Sequence, residues 1–227
     1  MSPAQLKTAR QAVGWTQQEA ASRLGVSQPY YCQLESGSRP LTPGLWLTAY
    51  RKLRLSPVTV PLPPLSLELS PLPPGELAAV LAWLGYPGFA HLRKTNRPLN
   101  PAELVARALA HSDLEARIIE ALPWVLSTFH ELDWRWLAAS CRLHSLQNRL
   151  GFLVSLADHL VQSGARVRLG VALADLDKSR LASEGTMCRD NMSEAERKWV
   201  RKHRSPDAAH WNILTTLTAE QLTHAAA

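Results

Sequence analysis

The residue types best suited to recognition chemistry lie near the start of the chain, in TQQEAASRLGVSQPYYCQLESG, residues 16–37. At about 100° per helical residue, Gln28, Pro29, Cys32, Gln33 and Ser36 share one side of a helix. Tyr30, Tyr31 and Leu34 fall on the opposite side. The polar arc carries no charge, which separates it from an ordinary solvated face. Its chemistry is that of reading bases. A glutamine amide offers one donor and one acceptor, which match adenine in the major groove and give about 1–3 kcal/mol of discrimination. Small neighbours let such a helix sink to the base edges.

Other chemistry is less well supported. The sequence has no G-x-x-x-x-G-K-[ST], H-E-x-x-H or G-x-S-x-G. Cys141 and His144 stand three apart, the types for a nucleophile and its base or for two metal ligands. No further member of either set is identified, so a packed cysteine beside a surface histidine is the plainer reading. Asp175 and Asp177 have the type to chelate a cation, with a solvated turn as the default. The basic run Arg197, Lys198, Arg201, Lys202 and Arg204 can widen a DNA footprint or simply face water. No catalytic residue, metal site or cofactor is assigned, and an enzyme is not expected. An enzyme or adaptor carrying a DNA-targeting module would be marked by a buried pocket with converging polar groups beyond residue 75.

The recognition residues need elements to hold them. Ser2 and Pro3 start a helix whose buried face is Leu6, Ala9 and Val13. Gly14 ends it. Thr16 and Glu19 form a capping box, so a second helix begins at Gln17. Ala20, Ala21 and Leu24 are its buried side, and alanine there lets another helix approach closely. Gly25 can take the left-handed conformation that stops the helix. Ser27 caps a third helix, and Pro29 is tolerated in its first turn.

The elements T-Q-x-E-x-A, L-G-V-S and Q-L-E-x-G, followed by a fourth helix, resemble the helix-turn-helix of the phage repressor (Cro/CI, XRE) family over residues 3–55. The resemblance implies a compact all-helical domain whose second and third helices form the motif. It implies DNA base contacts from Gln28, Pro29, Cys32 and Gln33, and backbone contacts from Gln17, Ser36 and Arg39. It also implies an internal ion pair between Arg10 and Glu35. Tyr31 departs from the family, which usually has an aliphatic core residue there. Such domains normally act as homodimers on half-sites about one helical turn apart.

Charge agrees with a DNA partner. The chain of 227 residues has a formal charge of +6, and residues 1–55 hold seven Lys/Arg against two Glu. A patch of this sign suits a phosphate backbone. No run reaches the roughly 18 apolar residues of a membrane span. The N-terminus lacks an apolar signal core, so a cytoplasmic protein without membrane contact is expected. The three cysteines, an odd number without C-x-x-C, suggest neither a disulfide framework nor a zinc site.

The expected organisation is a helix-turn-helix domain at 1–56, a Pro-rich linker at 57–75 and a helical regulatory or oligomerisation domain at 76–227. Helices are expected at 75–86, 100–112, 114–129, 133–144, 146–163 and 193–204, with Trp124, Trp134 and Trp136 packing the bundle. HLRKTNRPLN, at 91–100, reads as a basic loop. RVRLGVAL, at 166–173, reads as either a short strand or a helix start. The stretch 132–160 resembles the R-L-G-[FY]-L region of AbiEi-type antitoxins, DNA-binding autorepressors of toxin–antitoxin pairs. The fold class is mostly α. The expected function is a sequence-specific DNA-binding regulator, a dimeric repressor reading the major groove with helix 27–35. The alternative is an autoregulatory antitoxin with a toxin partner.

Overall fold

The computed structural model describes residues 3–92, 98–161 and 163–222. Part of the basic loop at 91–100 therefore lies outside the described residues. The protein is mostly helical, with twelve α-helices and a single pair of two-residue strands among the described residues. None of these helices is long and apolar enough to cross a membrane. The chain divides into two compact units, Met1–Pro61 and Leu62–Ala227.

The first unit contains α1 (Pro3–Ala12), α2 (Gln17–Leu24), α3 (Gln28–Ser36) and α4 (Pro43–Leu53). Local chemistry sets each boundary. The Thr16 hydroxyl accepts from the Glu19 N–H at 3.2 Å, and the Glu19 carboxylate accepts from the Thr16 N–H at 2.7 Å. Gly25 ends α2 with φ of 72°, a conformation that costs glycine little because it has no Cβ. Ser27 and Thr42 cap α3 and α4 through their hydroxyls. Leu6, Ala20, Ala21, Leu24, Tyr31 and Leu34 build the core, closed by Ala49 and Leu53 of α4. The small Ala20 and Ala21 leave room for the full Tyr31 ring, which is completely buried. Tyr31 thus takes the core position where the resemblance leads one to expect an aliphatic residue.

In the second unit, α9 (Gln147–Leu160) is the central helix. It packs against α7 (Ala116–Thr128), α8 (Trp134–Leu143), α10 (Ser163–Asp177) and α12 (Pro206–His210). The helices α5 (Pro74–Leu84), α6 (Pro101–Leu109) and α11 (Glu194–His203) complete the unit. RVRLGVAL is not a strand but the body of α10. The only ladder among the described residues pairs β1 (Gly185–Thr186) with β2 (Ile213–Leu214) in parallel.

From Leu62 onward the proline-rich segment belongs to the second unit. Its extended backbone leaves carbonyls without ladder partners, and side chains of the unit take them up. Trp136 Nε1 donates to the Pro63 carbonyl at 2.8 Å, and Arg107 donates to the Ser70 carbonyl at 3.4 Å. The rings of His144 and His111 meet the Ser66 and Leu72 carbonyls at 3.0 and 2.7 Å.

Candidate nucleic-acid interface

The outer face of α3 is assembled by what lies behind it. Tyr31 and Leu34 are buried and pin the helix to the first unit's core. That orientation leaves Gln28, Pro29, Cys32, Gln33 and Ser36 exposed. Arg39 is exposed as well, with its guanidinium 5.6 Å from the Tyr30 ring centre. The Ser36 hydroxyl donates to the Gln33 carbonyl at 3.1 Å and lies 2.9 Å from that of Ser38.

Beneath this face runs a polar chain. Arg10 holds Glu35 with two bonds, Nε to Oε1 at 2.7 Å and Nη2 to Oε2 at 3.2 Å. Arg10 Nη1 also donates to the Trp15 carbonyl at 2.7 Å, which fixes the turn between α1 and α2. Both side chains of the pair are largely shielded, at 11% and 4% exposure. Burial by itself raises the Glu35 pKa, but the hydrogen bonds from Arg10 and Gln17 outweigh it and hold the carboxyl below its usual range. The Arg10 pKa is raised by the same hydrogen bond to Glu35. Burial and the neighbouring Glu35 carboxylate push the Tyr31 phenol well above its usual value.

Gln17 continues the chain. Its Nε2 donates to Glu35 Oε2 at 2.9 Å, and its Oε1 lies 3.5 Å from Nε2 of Gln28. The side-chain amide of Gln17 is therefore occupied within the unit. Its backbone N–H, by contrast, is one of the first-turn donors that have no intrahelical acceptor. This bridging role was not visible in the sequence, where Gln17 is the first residue of its helix and, by the resemblance, a backbone contact.

The cations of the two units differ in how they are used. In the first, only Arg10 pairs with a carboxylate among the described residues. Lys7, Arg23, Arg39, Arg51, Lys52 and Arg54 are exposed and form no ion pair among them. In the second unit, Arg107, Arg142, Arg149 and Arg168 are each paired with Asp or Glu. The basic run on α11 is likewise committed. Arg201 and Arg204 clamp Glu184 at 3.0 and 3.1 Å, and Arg197 donates to the carbonyls of Asp190 and Met192. Only Lys198 and Lys202 of that run stay exposed without an ion pair among the described residues. The three arginines of the run therefore brace the 184–192 segment, while its two lysines stay exposed.

The remaining chemical candidates are structural. Cys141 is fully buried, and burial pushes its thiol up to about 12. Its neighbour His144 is engaged with the Ser66 carbonyl instead. Asp175 pairs with Arg142, and Asp177 meets Arg180 and His210. No group of three or more His, Cys, Asp or Glu among the described residues can hold a metal ion. The RLGFL stretch, residues 149–153, belongs to the central helix, and Leu150, Phe152 and Leu153 are fully buried. Only Arg149 in it is charged, and it is spent on the carbonyls of Leu109, His111 and Thr186 and on Asp190.

Residues 4–62 match a family described as a helix-turn-helix domain. No curated protein and no solved structure matches the chain. The second unit has no counterpart in these comparisons, and its reading rests on its own geometry. The N-terminal capped helices α2 and α3, joined at Gly25 and packed on α1 and α4, are a helix-turn-helix domain.

Proposed function

We propose that the protein is a sequence-specific transcriptional regulator that acts as a dimeric repressor and reads the major groove with α3. The observation that carries this reading is the uncharged, exposed arc of Gln28, Pro29, Cys32, Gln33 and Ser36 on α3, the second helix of the helix-turn-helix motif. In such domains that helix enters the major groove and its N-terminal residues meet the base edges. Gln28 and Gln33 supply donor–acceptor pairs for bases, while Pro29 and Cys32 supply apolar contact and close approach.

Phosphate contacts follow from the same placement. The backbone N–H of Gln17 lies at the positive end of α2. Ser36 and Arg39 flank the other end of the reading helix. The exposed, unpaired cations of the first unit add the salt-dependent term common to DNA-binding proteins.

The test is selection of bound sequences from a random DNA pool, followed by footprinting. The expected outcome is an enriched site made of two related half-sites about 34–36 Å apart, occupied by two copies of the chain. A pool that stays unenriched would sink the sequence-specific reading. One copy per saturated site in sedimentation would sink the dimer.

A further inference from the structure

The second unit contains a groove of about 790 Å³ that none of the preceding roles uses. Its floor is apolar and built from distant parts of the chain. Ile119 comes from α7, Met187 and Met192 from the 187–192 turn, Val200 from α11 and Leu214 from β2. All five are buried. Trp199 also lines the groove, with 55% of its surface exposed and one ring face stacked on His203 at 4.3 Å between centres.

The polar lining is one-sided. Asp113, Glu115, Glu120 and Glu196 line the groove with Arg189 as the single Lys or Arg among the described residues. Arg189 is already bound to Glu196 at 3.3 Å. Asp113, Glu115 and Glu120 form no ion pair among the described residues, whereas Asp175, Glu184 and Asp190 elsewhere in the unit are each held by arginine. The chain as a whole is basic, so this acidic lining is a local feature.

We propose that this groove is a binding site for a hydrophobic organic cation of drug-like size. The volume falls in the range of small-molecule sites, about 300–1,000 Å³. The apolar floor supplies affinity by removing ligand surface from water. Two flexible methionines in that floor adapt to irregular ligand shapes. The unpaired carboxylates attract positive charge, and they repel an anion of the same shape. Nucleic acid is excluded as the occupant by the same sign of charge. The inference is independent of DNA binding by the first unit.

Calorimetric titration of the full chain with tetraphenylphosphonium, and with its isosteric anion tetraphenylborate, tests the proposal. The cation is expected to bind saturably at one site, at least about tenfold more tightly than the anion. The double variant Glu115→Gln/Glu120→Gln removes charge without removing volume and should weaken the cation by about tenfold while narrowing the gap between the two probes. Trp199→Ala, at an exposed position, should weaken the cation as well. Unchanged thermal unfolding of each unliganded variant keeps these losses from reflecting misfolding. Equal affinity for the two probes, no cation binding at millimolar concentration, or full affinity in the Glu→Gln variant would each overturn the proposal.

Discussion

Gln17 and Glu35 stand eighteen residues apart and share a hydrogen bond of 2.9 Å, from the Gln17 amide to Oε2 of the carboxylate. This bond joins the first residue of α2 to the last turn of α3. Arg10 holds the same carboxylate from α1, and Gln28 lies against the other end of the Gln17 amide. Three helices therefore converge on one carboxylate, and the N-terminal end of α3 is positioned through it. Preorganisation of this kind spares the ordering cost of binding.

Gln28→Ala is expected to weaken binding to the selected site by about 1–3 kcal/mol and to relax preference at one base position. The side chain is exposed, so the fold should survive. Quantitative footprinting beside circular dichroism checks both halves. Wild-type affinity and preference in this variant would remove Gln28 from the reading role.

Arg10→Ala leaves a shielded carboxylate without its cation. A loss of roughly 3 kcal/mol is expected in the first unit. Hydrogen exchange should report faster opening of α1 to α3 and unchanged protection in the second unit. Uniform loosening of both units would show that the pair does not act locally.

The Glu35 carboxyl is held below its usual value near 4.5. A carboxyl depressed in the folded state contributes stability that is fully present above the unfolded value and lost as pH falls through the folded one. The first unit should therefore lose stability as pH drops below about 4.5, with the loss complete only below the depressed value. In Glu35→Gln this part of the acid dependence should vanish, as read from denaturant midpoints across pH.

The thiols differ in burial. Cys141 and Cys188 are pushed up to about 12 and about 11 by burial, while Cys32 is exposed on the outer face of α3. Only thiolate reacts readily, so a thiol reagent at neutral pH should modify Cys32 alone in the native protein. Mass spectrometry locates the adduct. A bulky adduct there should also abolish specific DNA binding, and Cys32→Ser should bind DNA yet resist the reagent.

Gly151 is a point of close approach. A Cβ at this position would lie 2.4 Å from the ring of Trp211, which is buried and donates to the Ser155 hydroxyl at 2.8 Å. Gly151→Ala must displace the indole, with an expected loss of about 1–3 kcal/mol in the second unit. Tryptophan fluorescence during denaturation follows it, and an unshifted transition would show that the indole relocates freely.

Much of the first unit is legible in sequence because its signals act over a turn or two of helix. The capping box at Thr16, the stop at Gly25 and the cap at Ser27 each involve neighbours within a few residues. Helical periodicity, also local, separates the buried Tyr31 and Leu34 from the exposed Gln28 and Gln33. The same local logic places α6 at its Asn100 cap and α11 at its Ser193 capping box. It leaves α10 ambiguous, because valine and glycine in RVRLGVAL weaken any preference for helix and the residues that bury one side belong to α9.

What the tertiary structure decided is whatever depends on a partner far along the chain. The two-residue strands β1 and β2 exist only by pairing with each other. Arg201 of α11 and Arg204 just after it become a clamp because Glu184 lies within reach of both. The Gln17 amide turns inward because Glu35 lies within reach. The acidic groove gathers residues from 74 to 221, and no spacing between them marks a shared site. Caps and periodicity are short-range and therefore written in order along the chain. Ion pairs, amide bridges and cavities are set by distances that exist only after the helices have packed.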